Sequence, residues 1–188
     1  MAKFEIAESI TGRNEGGYAN NPSDTGGETY AGIARNHWPK WDGWSLIDRI
    51  KETFGKSPSI INKYAKLDIF LKDFISQFYK KNFWDVLKLD LVNDQQLANS
   101  VYDFGVNSGT SRSAKFLQQS IISTYSLPIF ADSQIGNKTL SALNNPPVEP
   151  KIIYNEFNRR REQFYRSIAV GNQAQFLKSW LSRLKPYK

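Results

Sequence analysis

Cysteine is absent from this chain of 188 residues, and histidine occurs once. Without thiols no disulfide can staple the fold, and both a thiol nucleophile and a cysteine-ligated metal are excluded. The lone His37 excludes histidine-cluster metal sites and argues against a Ser-His-Asp triad. Apolar runs long enough to cross a bilayer are missing too. The N-terminus, Met1 to Glu8, carries an acidic residue at position 5 and no uninterrupted apolar core, so it does not read as a secretory signal.

What is present is ample material for a core. Apolar residues make up 40% of the chain, and five Trp and twelve Phe argue against disorder, which needs few aromatics. The length fits one domain, or one domain with a small appendix. The net charge of +7 draws the surface towards polyanions. Nucleic acid, anionic lipid and anionic wall polymer all satisfy that, so charge alone does not choose.

Helical periodicity dominates the pattern, and six or seven helices are expected. Lys3 to Arg13 sets Phe4, Ala7 and Ile10 near one face. Between Glu15 and Ile33 there is room for at most a small hairpin. His37-Trp38-Pro39-Lys40-Trp41-Asp42-Gly43-Trp44 reads as a loop with anchored indoles, which plug a core edge or offer a stacking platform to a sugar; the first reading is favoured. Ser45 to Lys56 reads as a short helix, and Ser57-Pro58 as a break. From Lys66, the residues Leu67, Phe70, Leu71, Phe74 and Phe78 form one apolar stripe expected to be core, with Asp68 and Lys72 paired on the opposite side. Asp94 is placed to cap a helix through Leu97, Val101 and Phe104 that ends at Gly105. A third helix carries Ala114, Leu117 and Ile121. Beyond Asn144-Asn145-Pro146-Pro147 a basic helix buries Ile153, Phe157, Phe164 and Ile168 and is decorated by Arg159, Arg160, Arg161 and Arg166. Its arginines follow no nucleic-acid recognition pattern, and a charge run of this kind is usually a solvated face.

The chemistry concentrates in Glu15-Gly16-Gly17-Tyr18-Ala19-Asn20-Asn21-Pro22-Ser23-Asp24-Thr25-Gly26-Gly27-Glu28-Thr29-Tyr30-Ala31-Gly32-Ile33. Two carboxyl groups, Glu15 and Asp24, flank a loop rich in Gly, Asn and Pro. Carboxyls that can meet while living in different environments are what glycoside hydrolysis requires. Glu15 is the candidate general acid, its pKa to be raised by burial against apolar groups. The flanking glycines would let a substrate approach closely, and Tyr18 would form one wall. Asp24 is the candidate second carboxylate, with turn-making as an equal alternative. Tyr30 would orient a carboxylate. Glu28 is a rival acid expected to point to solvent. Asn107 either binds an N-acetyl group or caps a helix turn, and Asp103 is a companion candidate for lining the same cleft.

This stretch resembles the start of the glycoside hydrolase family 108 muramidases, whose motif runs E-G-G-Y-x-N-x-P-x-D-x-G-G-x-T-x-x-G-I. The spacing of Glu15, Asp24 and Thr29 is also similar to that of phage-type lysozymes, with the final gap one residue shorter. That likeness implies that Thr29 holds the attacking water. Further on, Phe104-Gly105-Val106-Asn107-Ser108-Gly109, Leu117-Gln118-Gln119 and Asp132-x-x-Ile135-Gly136-x-x-Thr139-Leu140 are similar to the predicted peptidoglycan-binding module that closes these muramidases. Ser133 stands where Gly is more usual, which bears on turn geometry. Phe176 to Arg183 resembles the family's closing W-x-x-R.

The resemblance implies a mainly α, lysozyme-like fold, with a catalytic part over 1–93 and a helical peptidoglycan-binding-like part over 94–188 sharing one core. It implies a peptidoglycan hydrolase cleaving the β-1,4 bond between N-acetylmuramic acid and N-acetylglucosamine. No metal or organic cofactor is implied. The expected partner is the peptidoglycan glycan strand, with no specific nucleic acid, no membrane insertion and a monomeric state. The expected history is synthesis in the cytoplasm, then action on the cell wall after release by another route, as in phage- or prophage-type lysins. Two alternatives stay open: a lytic transglycosylase using one essential Glu, and a wall-binding or secretion-linked module without turnover.

Overall fold

The computed structural model describes residues 1–11, 16–21 and 25–188. Among these the protein is mainly helical, with nine α-helices and a small antiparallel sheet near the N-terminus. The chain divides into two compact units, one formed by residues 11–81 and the other by residues 1–10 together with 82–188.

The first unit holds the sheet, in the order β1 (Ala19–Asn20), β2 (Glu28–Tyr30), β3 (Ile33–Ala34). Ala19 pairs with Thr29, and Tyr30 with Ile33. The link between β2 and β3 is two residues, Ala31 at φ 48° and Gly32 at φ 76°. Positive φ at both central positions suits the right-handed twist of a tight hairpin. The Tyr79 hydroxyl donates to the Ala31 carbonyl at 2.8 Å and holds the less favourable of the two in place.

Three helices complete this unit: α2 (Gly43–Phe54), α3 (Pro58–Ala65) and α4 (Ile69–Tyr79). Ser57-Pro58 is a helix start rather than only a break. Ser57 accepts the Ile60 N–H and Pro58 occupies the first turn, where its missing donor costs nothing. The indoles of the aromatic loop are anchored as expected: Trp41 Nε1 donates to the Phe74 carbonyl at 3.2 Å and Trp44 Nε1 to the Trp38 carbonyl at 2.8 Å. The stripe from Leu67 to Phe78 is only partly core. Leu71 and Phe78 are buried, whereas Leu67 and Phe70 are 72% and 64% exposed. Asp68 caps α4 by accepting the Leu71 N–H at 3.0 Å, so its carboxylate serves the helix end. The chain leaves α4 through a π-helical turn, Lys80–Trp84.

In the second unit, α1 (Phe4–Thr11) brings Phe4 against Trp84 and Tyr102, each pair of rings edge-on with centroids under 6 Å apart. Trp84 is fully buried and its Nε1 donates to Asp90 at 2.6 Å. Ile10, expected on the inner face of α1, is half exposed. Asp94 caps α5 (Gln95–Ser108), accepting the Leu97 N–H at 2.7 Å. The helix runs past Gly105, because that glycine is helical and packs against Leu87; the stop is Gly109 at φ 90°. Helix α6 (Thr110–Tyr125) follows directly, then α7 (Asn137–Asn144), α8 (Pro150–Ile168) and the short α9 (Leu177–Leu181). Arg161 does not decorate α8 but is buried, 1% exposed. No helix among the described residues is long and apolar enough to cross a membrane.

Candidate active site

Glu15 and Asp24, the two carboxylates singled out from the sequence, lie outside the described residues. The structure places what surrounds them in the chain. Tyr18 is 7% exposed. Its main-chain N–H donates to Asn62 Oδ1 at 2.8 Å, and its hydroxyl is hydrogen-bonded to Glu28. Burial, and then that bond to the Glu28 carboxylate, push the Tyr18 hydroxyl above its ordinary pKa.

Glu28 corrects an expectation. Rather than pointing to solvent, its side chain is 12% exposed and bridges two cations. Arg35 Nη1 donates to one oxygen at 2.6 Å and Lys51 Nζ to the other at 2.6 Å. The same cations hold Asp48: Arg35 through paired bonds of 2.8 and 2.6 Å, and Lys51 at 2.7 Å. The Arg35 guanidinium also lies over the Trp44 ring, 5.0 Å from its centroid. Burial pushes the Glu28 carboxyl up, but the hydrogen bonds from Lys51, Arg35 and Tyr18 outweigh it and hold Glu28 below the usual carboxylate range. Asp48 is held well below that range, chiefly by Arg35. Glu28 is therefore an ionised acceptor at neutral pH, unsuited to donating a proton.

Side chains alternate along a strand, so Glu28 and Tyr30 share one face of β2 and Thr29 takes the other. Tyr30 is buried, and desolvation, aided by the charge of Asp68, raises its pKa. Thr29 is half-buried and its Oγ1 donates to the Gly27 carbonyl at 3.2 Å. With its proton spent, the hydroxyl can meet a water only as an acceptor. Tyr18, Thr29 and Tyr30 thus gather on and beside the small sheet. Asn107 belongs to the other unit, where its Nδ2 donates to the main-chain carbonyl of Asp103 at 2.6 Å, a bond within α5. Asp103 itself is tied to Arg161 and Arg183.

Sequence reasoning missed Asn62, Arg35, Asp48 and Lys51. Asp48 and Lys51 stand three apart on a helix, a visible pairing signal, but nothing in the sequence ties either to Glu28.

Residues 9–109 match the family described as Glycosyl hydrolase 108, and residues 112–185 match the one described as Predicted Peptidoglycan domain. The first match spans more than half of the chain, which defines its class as a glycoside hydrolase. The protein belongs to glycosyl hydrolase family 108 and carries a C-terminal predicted peptidoglycan domain. It is similar to a solved structure titled "Structure of Brucella abortus SagA", at 25% identity and a TM-score of 0.64, over 96% of this chain and 88% of that one. No curated protein sequence matches it.

Proposed function

We propose that the protein is an N-acetylmuramidase that hydrolyses the β-1,4 bond between N-acetylmuramic acid and N-acetylglucosamine in peptidoglycan, with Glu15 as the general acid. The observation that carries this is the pairing, in one chain, of the glycosyl hydrolase 108 match and a predicted peptidoglycan domain, with the Glu15 to Ile33 motif inside the former. The state of Glu28 supports the choice of acid. Two cations and Tyr18 keep it ionised, so among the motif's glutamates the donor role falls to Glu15.

A glycosidic oxygen leaves only when it is protonated as its bond to C1 breaks. In this reading Glu15 gives its proton to that oxygen, which takes the bonding electron pair. Water then adds to the oxocarbenium-like C1 and loses its proton to a carboxylate, the role given to Asp24. Thr29, its own proton committed to Gly27, accepts a hydrogen bond from that water and sets its angle of approach. The protein is taken to work on glycan strands as a monomer, at the wall.

Mass spectrometry of products from purified peptidoglycan, with wild type and Glu15→Gln in parallel, tests the reading. The expected result is hydrated muropeptides ending in a reducing N-acetylmuramic acid, lost in the variant while the fold is retained. Anhydro ends would move the chemistry to transglycosylation. Full activity in Glu15→Gln would remove that residue from the mechanism.

A further inference from the structure

Asn62 lies on α3, outside every motif that the sequence displays, and its side chain holds the main chain at Tyr18, three residues beyond Glu15. Its Oδ1 accepts the Tyr18 N–H at 2.8 Å. Its amide also fills the space next to Gly17. A Cβ on that glycine would lie 2.4 Å from Oδ1, 2.9 Å from Cγ and 3.0 Å from Nδ2. Gly17 is thus what allows the asparagine to reach the backbone, whereas at Gly16 a Cβ would meet nothing within 4 Å. The far end of Tyr18 is held as well, by Glu28 within its cage of Lys51 and Arg35.

We propose that Asn62 is a positioning residue for the catalytic acid. Two consecutive glycines are the most permissive linkage a chain can have, and ordering them costs more backbone entropy than ordering any other pair. In the sequence that pair directly follows Glu15. By taking the Tyr18 N–H and packing flat on Gly17, Asn62 clamps the pair at its C-terminal end. This fixes the main chain at Gly17 and Tyr18, two and three residues beyond Glu15. The inference rests on Glu15 being the acid, and a misplacement of about 1 Å in such a group can cost about 100-fold in rate.

The test compares wild type, Asn62→Ala, Asn62→Asp, Gly17→Ala and the double variant Gly17→Ala/Asn62→Ala. Each is assayed for reducing-end release from peptidoglycan and for amide hydrogen exchange at Tyr18. Asn62→Ala should lower kcat roughly 10- to 100-fold with apparent KM within about two-fold, and should speed exchange at Tyr18. Asn62→Asp keeps the accepting oxygen and should restore most of kcat along with the slow exchange. Gly17→Ala displaces the asparagine from Tyr18 and should match Asn62→Ala, with the double variant no worse than either.

The proposal is overturned if Asn62→Ala keeps kcat within about two-fold of wild type, or if Tyr18 stays protected in it. It is equally overturned if Asn62→Asp folds yet fails to recover kcat. A wild type that releases no product takes down the muramidase reading and the proposal with it; an active wild type beside an indifferent Asn62→Ala takes down the proposal alone.

Discussion

The guanidinium of Arg161 on α8 is paired with the carboxylate of Asp103 on α5 in the interior of the second unit. Arg183 takes the other carboxylate oxygen at 2.7 Å. Ser100 accepts from Arg161 Nη1 at 2.6 Å, and the rings of Phe104, Phe157 and Tyr165 surround the guanidinium with centroids 5.3 to 5.9 Å away. One carboxylate thus joins two helices and the C-terminal segment.

Removing that carboxylate should be costly. Asp103→Ala leaves Arg161 buried with its charge uncompensated, a defect worth about 3–5 kcal/mol. Arg183 is more exposed than Arg161, 17% against 1%, so Arg183→Ala should cost distinctly less. Urea denaturation at neutral pH measures both. Equal losses for the two variants would mean that Arg161 finds another partner when Asp103 is gone.

The cage around Glu28 makes an acid-dependent prediction. Both Glu28 and Asp48 have folded-state pKa values below those of the unfolded chain. The unfolded state therefore takes up protons first as the pH falls. The stabilisation they contribute is fully present above about pH 4, the ordinary carboxylate range, and is lost progressively below it. Glu28→Gln should be less stable than wild type at pH 7, with the gap narrowing towards pH 3. Urea midpoints at the two pH values check this, and a gap that stays constant would show that the ion pairs carry no net stability.

Ser133 should be improvable. It adopts φ 68°, a left-handed backbone that disfavours any side chain with a Cβ, and its N–H is committed to Gln118 Oε1 at 2.9 Å. Ser133→Gly keeps the main-chain bond and removes a left-handed penalty of about 1–2 kcal/mol, partly offset by the greater entropy a glycine loses on folding, so it should stabilise by a net amount under about 1 kcal/mol. A thermal scan showing a lowered Tm would overturn this account of the turn.

Much of the helical plan is legible in the sequence. Asp94 announces α5 because a carboxylate before an apolar period can accept the exposed N–H groups of a first turn, and it does so. The exposed Leu67 and Phe70 mark the limit of periodicity, which says which residues share a face but not whether another element covers it. Arg161 shows the same limit from the other side. It stands on the row of Ile153, Phe157 and Tyr165, all buried, but its charge reads as solvent-facing until its partner is found 58 residues away. In the candidate site, the hairpin and its motif are plain from the residues. Asn62 and the Arg35–Lys51 cage are not, because their partners are distant in the chain and no local pattern links them. Gly105, read as a terminator, shows that a glycine ends a helix only where the backbone turns left-handed; here it makes room for Leu87 instead.

The path of the chain bears on how such proteins can be recombined. The opening helix, up to Ile10, belongs to the same compact unit as residues 82–188, and the seam between the two family matches, 109 to 112, falls inside that unit. There α5 and α6 are joined across the seam by Ser113 Oγ donating to the Val101 carbonyl at 2.7 Å. A single crossover at the seam would split that helical hairpin. Grafting this protein's tail onto a relative needs two breakpoints, one on either side of the sheet-bearing segment, and the natural unit of exchange is the insert from 11 to 81 rather than the C-terminal half.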